Sequence, residues 1–436
     1  MGQVFNLPEF HWQVENLPHE QRSPLVRIQF ITALSFFAFS TSTLLAGDWP
    51  QILGPNRDGR AAADEKLADS WPKDGPTVLW QRQVGGGFSG LAVAGNTAVL
   101  FHRVDDDEVV EALDTLTGKP KWQDGSPTKF SSGFSDDQGP RCVPVIQGDR
   151  VFVFGAQGTL RCLDLKSGKQ IWKRDTHTEF KAPEGYFGAG STPIAIGDKL
   201  LVNVGAGRSG AGVVAFEMAT GKDVWKAVAD DASYSSPVLA TVDGNKHAIF
   251  VTRLKTVSLD PDSGKVRFEF PFGKRGPTVN GASPIVLDGN LFVSAHYGVG
   301  AVFAKIGPTS ADEKWNSDDL ISSQYMTPLV HEGLLFGIHG QERVEDSELR
   351  CLDPRSQKVL WSKPSFGFGT LIAADGKMLM QTTDGELILW KPDSRSYQEL
   401  ARARVFRSTT RALPALSNGR LFVRDSRTLK CLQVGK

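Results

Sequence analysis

Cysteine is scarce. Cys142, Cys162, Cys351 and Cys431 are the four in 436 residues, none adjacent to another, and no Cys-x-x-Cys occurs. That excludes a thioredoxin-type redox pair, a zinc ribbon and a c-type haem attachment site. An excess of one charge is equally absent. Lys plus Arg is 49 and Asp plus Glu is 49, a formal charge of zero, whereas a nucleic-acid-binding domain carries a basic excess. No Gly-x-Ser-x-Gly, His-Glu-x-x-His or paired-carboxylate signature is present, so the common hydrolase and metalloprotease motifs are missing. What is abundant is glycine, at 45, together with 10 tryptophans. Both are spread along the chain, as in folds built from many short strands and tight turns.

The N-terminal region reads as an export signal. Arg22 and Arg27 precede an apolar part from Ile28 to Phe39, and Ser40 to Gly47 are mostly small residues. Basic, then apolar, then small is the order of a secretory signal peptide, with cleavage expected after Ala46. A spanning helix needs about twenty predominantly apolar residues. Six of the twenty from Ile28 to Gly47 are Ser or Thr, so an uncleaved anchor is the lesser reading. Ahead of it, Gln3-Val-Phe-Asn-Leu-Pro8 recurs as Gln13-Val-Glu-Asn-Leu-Pro18, a duplication without structural use; translation is expected to start downstream, near Leu25 or Val26. The chain is thus divided into 1–46, a doubtful extension plus signal peptide; 47–76, a leader; and 77–436, the repeat region. The mature protein is expected to be periplasmic or secreted, monomeric, and without a membrane span. No cysteine stands at the cleavage position, so lipid anchoring is not indicated.

The repeat region carries one motif five times. Ala112-Leu-Asp-Thr-Leu-Thr-Gly-Lys-Pro-Lys-Trp122 is matched by segments ending at Trp172, Trp225, Phe268 and Trp361, each with a small residue ten positions before the aromatic. Upstream of each lies a hairpin such as Pro144-Val-Ile-Gln-Gly-Asp-Arg-Val-Phe-Val153, where Gly-Asp, Asp-Gly or Gly-Asn tolerates the positive φ of a tight turn. Eight hairpins begin near Gly90, Cys142, Ser191, Ser235, Ala282, Met326, Gly369 and Ala412. Each unit therefore predicts four antiparallel strands, A to D, at about 45 residues per unit, the size of a propeller blade. The last unit ends after strand C, and Thr77–Arg82 supplies a matching D strand with its Trp80. The expectation is an all-β, eight-bladed propeller of four-stranded blades, closed by an N-terminal strand. The D-strand aromatic is expected to pack over the small residue of strand C and against the next blade. Unit five reaches Trp315 with one extra residue. Unit seven places Glu399 in the aromatic position, so its seam to unit eight is expected to be the weakest.

These repeats resemble the PQQ-like β-propeller family. The resemblance covers Thr77 to Lys436 and is specific for fold, much less so for function. It implies one of two activities. Quinoprotein alcohol or sugar dehydrogenases of this family use pyrroloquinoline quinone and calcium; cofactor-free relatives include the BamB-type component of outer-membrane β-barrel assembly. The segment Asp48-Trp-Pro-Gln-Ile-Leu-Gly-Pro-Asn-Arg-Asp-Gly59 looks like the leader of exported propellers of this group. Quinoproteins typically carry adjacent bridged cysteines and large insertions, and neither is present. The nearer match is the non-catalytic branch, with no cofactor expected and an envelope protein or extracellular polymer as partner. The missing lipid-attachment cysteine departs from that branch too.

Candidate contacts lie in the loops joining strand D to the next strand A, which share a face with the B–C loops. They are Phe88, Phe134, Asp136, Asp137, Arg141, Tyr186, Phe187, Asn280, Tyr325 and Arg411. Aromatic and Arg side chains concentrated at a channel mouth are what a binding surface uses; equally, Gly-aromatic pairs line tight loops. Under the dehydrogenase alternative, Asp136, Arg141, Asn280 and Arg411 are the cofactor contacts. Three histidines, His102, His296 and His339, fall at one equivalent position late in strand B and are weak metal candidates, although units one and five lie across the ring. The acidic run Asp105–Glu108 is expected to be a solvated loop. Gly205-Ala-Gly-Arg-Ser-Gly210 spells a dinucleotide motif, but a strand follows where a helix is required. Cys162, Cys351 and Cys431 occupy the small-residue slot of strand C as buried thiols. A Cys142–Cys162 bridge is not expected, because strands A and C stand about 9.5 Å apart.

Overall fold

The structure, a computed structural model, describes residues 47–276, 278–342 and 347–435. The signal peptide and the start position lie outside the described residues. Eight four-stranded antiparallel sheets follow one another, and the protein is an all-β, eight-bladed propeller. Blade 1 consists of Leu91–Ala94, Thr97–Val104, Asp107–Asp114 and Pro120–Pro127. In blade 8, Ala415–Ser417, Arg420–Arg424 and Thr428–Gln433 are completed by Thr77–Gln83. Thr77 pairs with Gln433 and Gln83 with Thr428. The first strand of the ring therefore closes the last blade. No helix among the described residues is long and apolar enough to cross a membrane.

Each C–D ladder slips by one residue, in seven blades beside the D-strand aromatic and in blade 7 beside Ala401. In blade 2, Cys162 pairs with Trp172 and Leu163 with Gln170, leaving Ile171 unpaired. Such bulges twist the outer strand and interrupt an edge that would otherwise template pairing with another chain. The aromatic sits across from the small residue of strand C in six blades, as expected, and across from Phe303 in blade 5, but its main function is the seam. Six indole N–H groups donate to carbonyls in the C–D turn of the following blade: Trp80 to Thr115 (3.0 Å), Trp122 to Leu165 (2.8 Å), Trp172 to Met218 (2.9 Å), Trp225 to Pro261 (3.2 Å), Trp315 to Pro354 (2.7 Å) and Trp361 to Asp393 (2.8 Å). In four of the six, at Gly118, Gly168, Gly221 and Gly264, the indole lies against the glycine of that turn; the turns met by Trp315 and Trp361 have none. A Cβ on Gly118 would approach Trp80 to 2.7 Å, and one on Gly168 would approach Trp122 to 2.4 Å. The Thr-Gly-Lys glycine is thus required twice, for positive φ (66° at Gly118) and for the neighbouring indole.

Blade 7 corrects the reading of Glu399. Its C–D loop runs from Lys391 to Gln398, longer than the Asp353-to-Lys358 turn of blade 6. The register pair equivalent to Cys351–Trp361 is Leu389–Ala401, not a pair with Glu399. The 7–8 seam therefore has no D-strand indole, and the leader covers it instead. The Glu65 carboxylate accepts the N–H groups of Asn418 and Gly419, Ala68 N–H donates to Val434 O (2.8 Å), Ala61 N–H donates to Ala373 O (2.9 Å), and Ala373 N–H donates to Gly59 O (2.8 Å). Trp71 packs against the same core cluster.

The leader also crosses the ring. Trp49, 1% exposed, bridges Val93 of blade 1; Pro50 accepts from Ile146 of blade 2; Arg57 donates to Thr192 and Pro193 of blade 3, both at 2.8 Å; and Arg60 donates to Val330 of blade 6. Blades 3 and 7 are opposite in a ring of eight, so a segment touching both must pass through the axis. Arg57 is buried with carbonyl partners alone, and burial pushes its pKa down to about 9.

The acidic run is also corrected in part. Asp105 and Asp106 are exposed, but Glu108 is buried, accepting Ala156 N–H of blade 2 at 2.8 Å with Arg103, Arg161 and Arg141 nearby. Burial raises its pKa. All four cysteines are buried free thiols, each pushed up to about 12 by desolvation. Gly207–Ser209 is a short turn inside the hairpin between Lys199–Ala206 and Ala211–Glu217, so no helix follows the glycines.

Candidate functional site

Every blade begins strand A at the hub, and several D–A loops reach it through a Ser/Thr-Pro step. Pro fixes φ and removes a donor, leaving the hydroxyl before it to bind the neighbouring blade. Thr192 Oγ1 accepts from Val143 N (3.0 Å), Ser236 Oγ accepts from Thr192 N (2.9 Å), and Thr327 Oγ1 accepts from Ser283 N (2.9 Å); Ser89, which precedes Gly90 instead, donates its Oγ to Cys142 O (2.7 Å) in the same way. This belt holds the D–A loops around the axis. Its signal, the recurring Thr192-Pro193, Ser236-Pro237, Ser283-Pro284 and Thr327-Pro328, was visible in the sequence and unused.

Within the belt lies a funnel of ≈ 300 Å³, at the small end of ligand sites. Ile52 and Leu53 of the leader form its floor, and Phe88, Arg141, Phe187, Tyr234, Tyr297, Gln324, Tyr325, Glu342 and Arg411 are among its walls. Five of the predicted residues meet here: Phe88, Arg141, Phe187, Tyr325 and Arg411. Phe88 lies between two guanidinium groups, Arg141 at 5.7 Å and Arg411 at 5.1 Å from its ring centre, a cation–π arrangement. Arg141 donates to Phe187 O (2.6 Å) and Asp137 O (3.0 Å) and pairs with the Asp137 carboxylate at 3.1 Å. Arg411 Nε donates to both Glu342 oxygens, and Tyr325 O–H donates to the same carboxylate at 2.9 Å. Burial beside Glu342 raises the Tyr325 pKa well above its ordinary value.

The other predicted residues are placed differently. Phe134, 64% exposed, stands edge-on to Tyr186 at 4.9 Å on the rim, over an open groove of ≈ 1050 Å³ that also contains Asp136 and Asp137. Tyr186 lines a side cavity of ≈ 220 Å³ that shares Tyr234 and Val279 with the funnel. Asn280 is corrected: it is 1% exposed, and its amide donates to Thr252 O (2.9 Å) and Arg253 O (3.2 Å), tying the loop to blade 4. Tyr234, Tyr297, Gln324 and Glu342 were missed, because each is a single polar or aromatic residue in a loop and nothing local marks it.

The histidines are corrected as well. His102 and His339 are the sixth residues of Thr97–Val104 and Leu334–His339, but His296 follows the end of Asn290–Ala295 and is one residue out of register. His102 Nδ1 accepts Gly85 N–H at 2.8 Å and His339 Nδ1 accepts Ser322 N–H at 3.2 Å. Both are latches that tie a D–A loop to strand B, one loop carrying Phe88 and the other Tyr325. An accepting Nδ1 is unprotonated, so each ring carries its proton on Nε2. Burial and the cations Arg424 and Arg82 push His102 down to about 3. No group of three or more His, Cys, Asp or Glu able to hold a metal exists among the described residues.

Calcium takes six to eight oxygen ligands, several from carboxylates. Glu342 is the single carboxylate among the described funnel residues, and it is already engaged by Arg411 and Tyr325. The residues present do not fit a calcium-bound quinone.

A closed eight-bladed ring of four-stranded blades, with a leader across its axis, defines a repeat β-propeller. The chain belongs to the PQQ_2 family, whose profile, described as outer membrane protein assembly factor BamB, matches residues 106–363. It is 27% identical over 266 residues to outer membrane protein assembly factor BamB of Burkholderia pseudomallei (strain K96243), spanning 56% of this chain and 61% of that protein. With BamB of Yersinia pestis it shares 24% over 332 residues, 72% of this chain and 81% of the relative. Among solved structures it resembles a europium-containing methanol dehydrogenase with TM-score 0.63 at 13% identity, covering 87% and 89% of the two chains. That likeness is one of fold.

Proposed function

We propose that this chain is a non-catalytic binding propeller of the cell envelope, exported to the periplasm or beyond, that engages a protein partner through its D–A and B–C loop face. Relatives named as outer-membrane assembly factors support the class. The observation that carries the reading is the rim and funnel. Aromatic faces are presented there while the nearby charges are paired among themselves, Arg141 with Asp137 and Arg411 with Glu342. A surface of this kind gains from apolar burial and loses little by desolvation.

The test is site-specific photo-crosslinking in envelope preparations. A cross-linking residue at Phe134 should capture a discrete protein; the same residue at Leu239, exposed on strand A of blade 4, should not. Identical products from both positions, or none from Phe134, would refute the proposal. With the cross-linking residue at the neighbouring exposed Asp136 instead, Phe134→Ser should abolish capture and leave thermal unfolding unchanged. Protein incubated with pyrroloquinoline quinone and calcium should reduce no dye acceptor in the presence of alcohols or sugars.

A further inference from the structure

Three donor groups of the funnel have no acceptor among the described residues. Glu342 accepts from Arg411 and Tyr325. Tyr234 Oη accepts Phe187 N–H at 2.8 Å, and its own proton has no acceptor among the described residues. Tyr297 Oη accepts from Gln324 Nε2 at 2.7 Å; that amide is oriented by Glu342 N–H, which donates to Gln324 Oε1 at 2.8 Å. Tyr297 too keeps an undirected O–H. Arg411 is held by Nε on Glu342, with the Tyr325 hydroxyl also against its guanidinium; its Nη groups reach no carboxylate or carbonyl among the described residues. The funnel therefore presents two hydroxyl donors and a guanidinium edge, ringed by Phe88 and Phe187. Such a site is complementary to an acceptor, best an anion, carried on an apolar body.

Its shape narrows the source. Ile52 and Leu53 close the floor, so a polymer cannot thread the axis, and ≈ 300 Å³ holds about one large side chain. A blind apolar pocket with donors takes a chain end rather than a chain middle. We infer that the funnel binds the C-terminal carboxylate of a polypeptide whose last side chain is aromatic or large and aliphatic, with the carboxylate on Arg411, Tyr297 and Tyr234 and the side chain over Leu53. This rests on the protein-partner reading and specifies where the partner's end is held. Sugar polymers fit less well, because they require many unpaired planar polar groups, and those of the funnel are already engaged: the Glu342 carboxylate by Arg411 and Tyr325, the Gln324 amide by Tyr297 and Glu342 N–H, and Arg141 by Asp137 and Phe187 O.

Calorimetric titration of the full chain tests it. Three hexapeptides are compared: one ending in Phe with a free carboxylate, the same peptide as its C-terminal amide, and one ending in Ser. The free acid should bind, more weakly at high salt, and both other peptides should lose at least about tenfold. Arg411→Gln should abolish the acid–amide difference. Tyr297→Phe, which keeps the ring, should weaken the acid several-fold with unchanged unfolding, so that misfolding of the arginine variant does not decide the matter. Equal binding of acid and amide, or no binding of the acid, overturns the inference. So does 3-phenylpropionate binding as tightly as the peptide, which makes the funnel a small-molecule site. A partner still captured through Phe134 in that event leaves the protein-partner reading standing; loss of capture alone sinks that reading.

Discussion

The His102 latch sets a measurable pH dependence. The imidazole is neutral in the folded ring, with its pKa pushed from 6.5 to about 3 by desolvation first and by Arg424 and Arg82 second. The unfolded chain takes up a proton below pH 6.5; the native chain does not until about 3. Between those values the unfolded state binds more protons, so stability is full above 6.5 and falls as acid is added. From about pH 7.5 to about pH 4.5 the unfolded side chain gains some two decades of protonation, which at 1.36 kcal/mol per decade is about 2.7 kcal/mol. Other carboxylates and histidines titrate in the same range, so the informative quantity is a difference of differences. Urea unfolding of the parent and of His102→Gln at both pH values should show a loss smaller by about 2.7 kcal/mol in the variant. Gln titrates nowhere in this range and its carbonyl still accepts a hydrogen bond. Equal losses in the two proteins would show that His102 is not held neutral by the fold, and the latch geometry would be refuted with it.

Three further outcomes follow from the seams. Trp122→Phe should cost about 1 kcal/mol through loss of the 2.8 Å bond to Leu165 O, and Trp122→Ala at least about 3 kcal/mol; equal costs in denaturant unfolding would show that the indole N–H is irrelevant. Gly118→Ala should destabilise more than Gly197→Ala. Both glycines have positive φ, 66° and 62°, worth about 1 kcal/mol each, but Gly118 alone meets an indole. Glu65→Ala should loosen the strap over the 7–8 seam, costing about 1–3 kcal/mol for two unpaired N–H groups. Limited proteolysis should then cut within residues 47–76 faster than in the parent, and an unchanged rate would place the strap's hold elsewhere.

Much of this architecture was legible because it is local and repeated. The Gly-Asp and Gly-Lys turns need positive φ wherever they occur, the small and aromatic residues of strands C and D recur at fixed spacing, and the orphan strand at Thr77 answers the blade that lacks one. Where the repeat varies in length, counting failed: a longer loop moved the blade 7 slot from Glu399 to Ala401, and a turn at Asp288–Gly289 moved His296 out of register. Loop aromatics and arginines located half of the funnel. The other half, Tyr234, Tyr297, Gln324 and Glu342, had no pattern to betray it.

The kind of fold, the number of blades and the identity of the closing strand follow from turn chemistry and strand periodicity, which act between residues a few positions apart. Tertiary structure decided what the ring does with its axis. Arg57 finds its carbonyls 135 and 136 residues away, and Glu65 finds its N–H groups more than 350 residues away. Only closure of the circle brings them together, stops the channel with the leader, and leaves a blind funnel on one face.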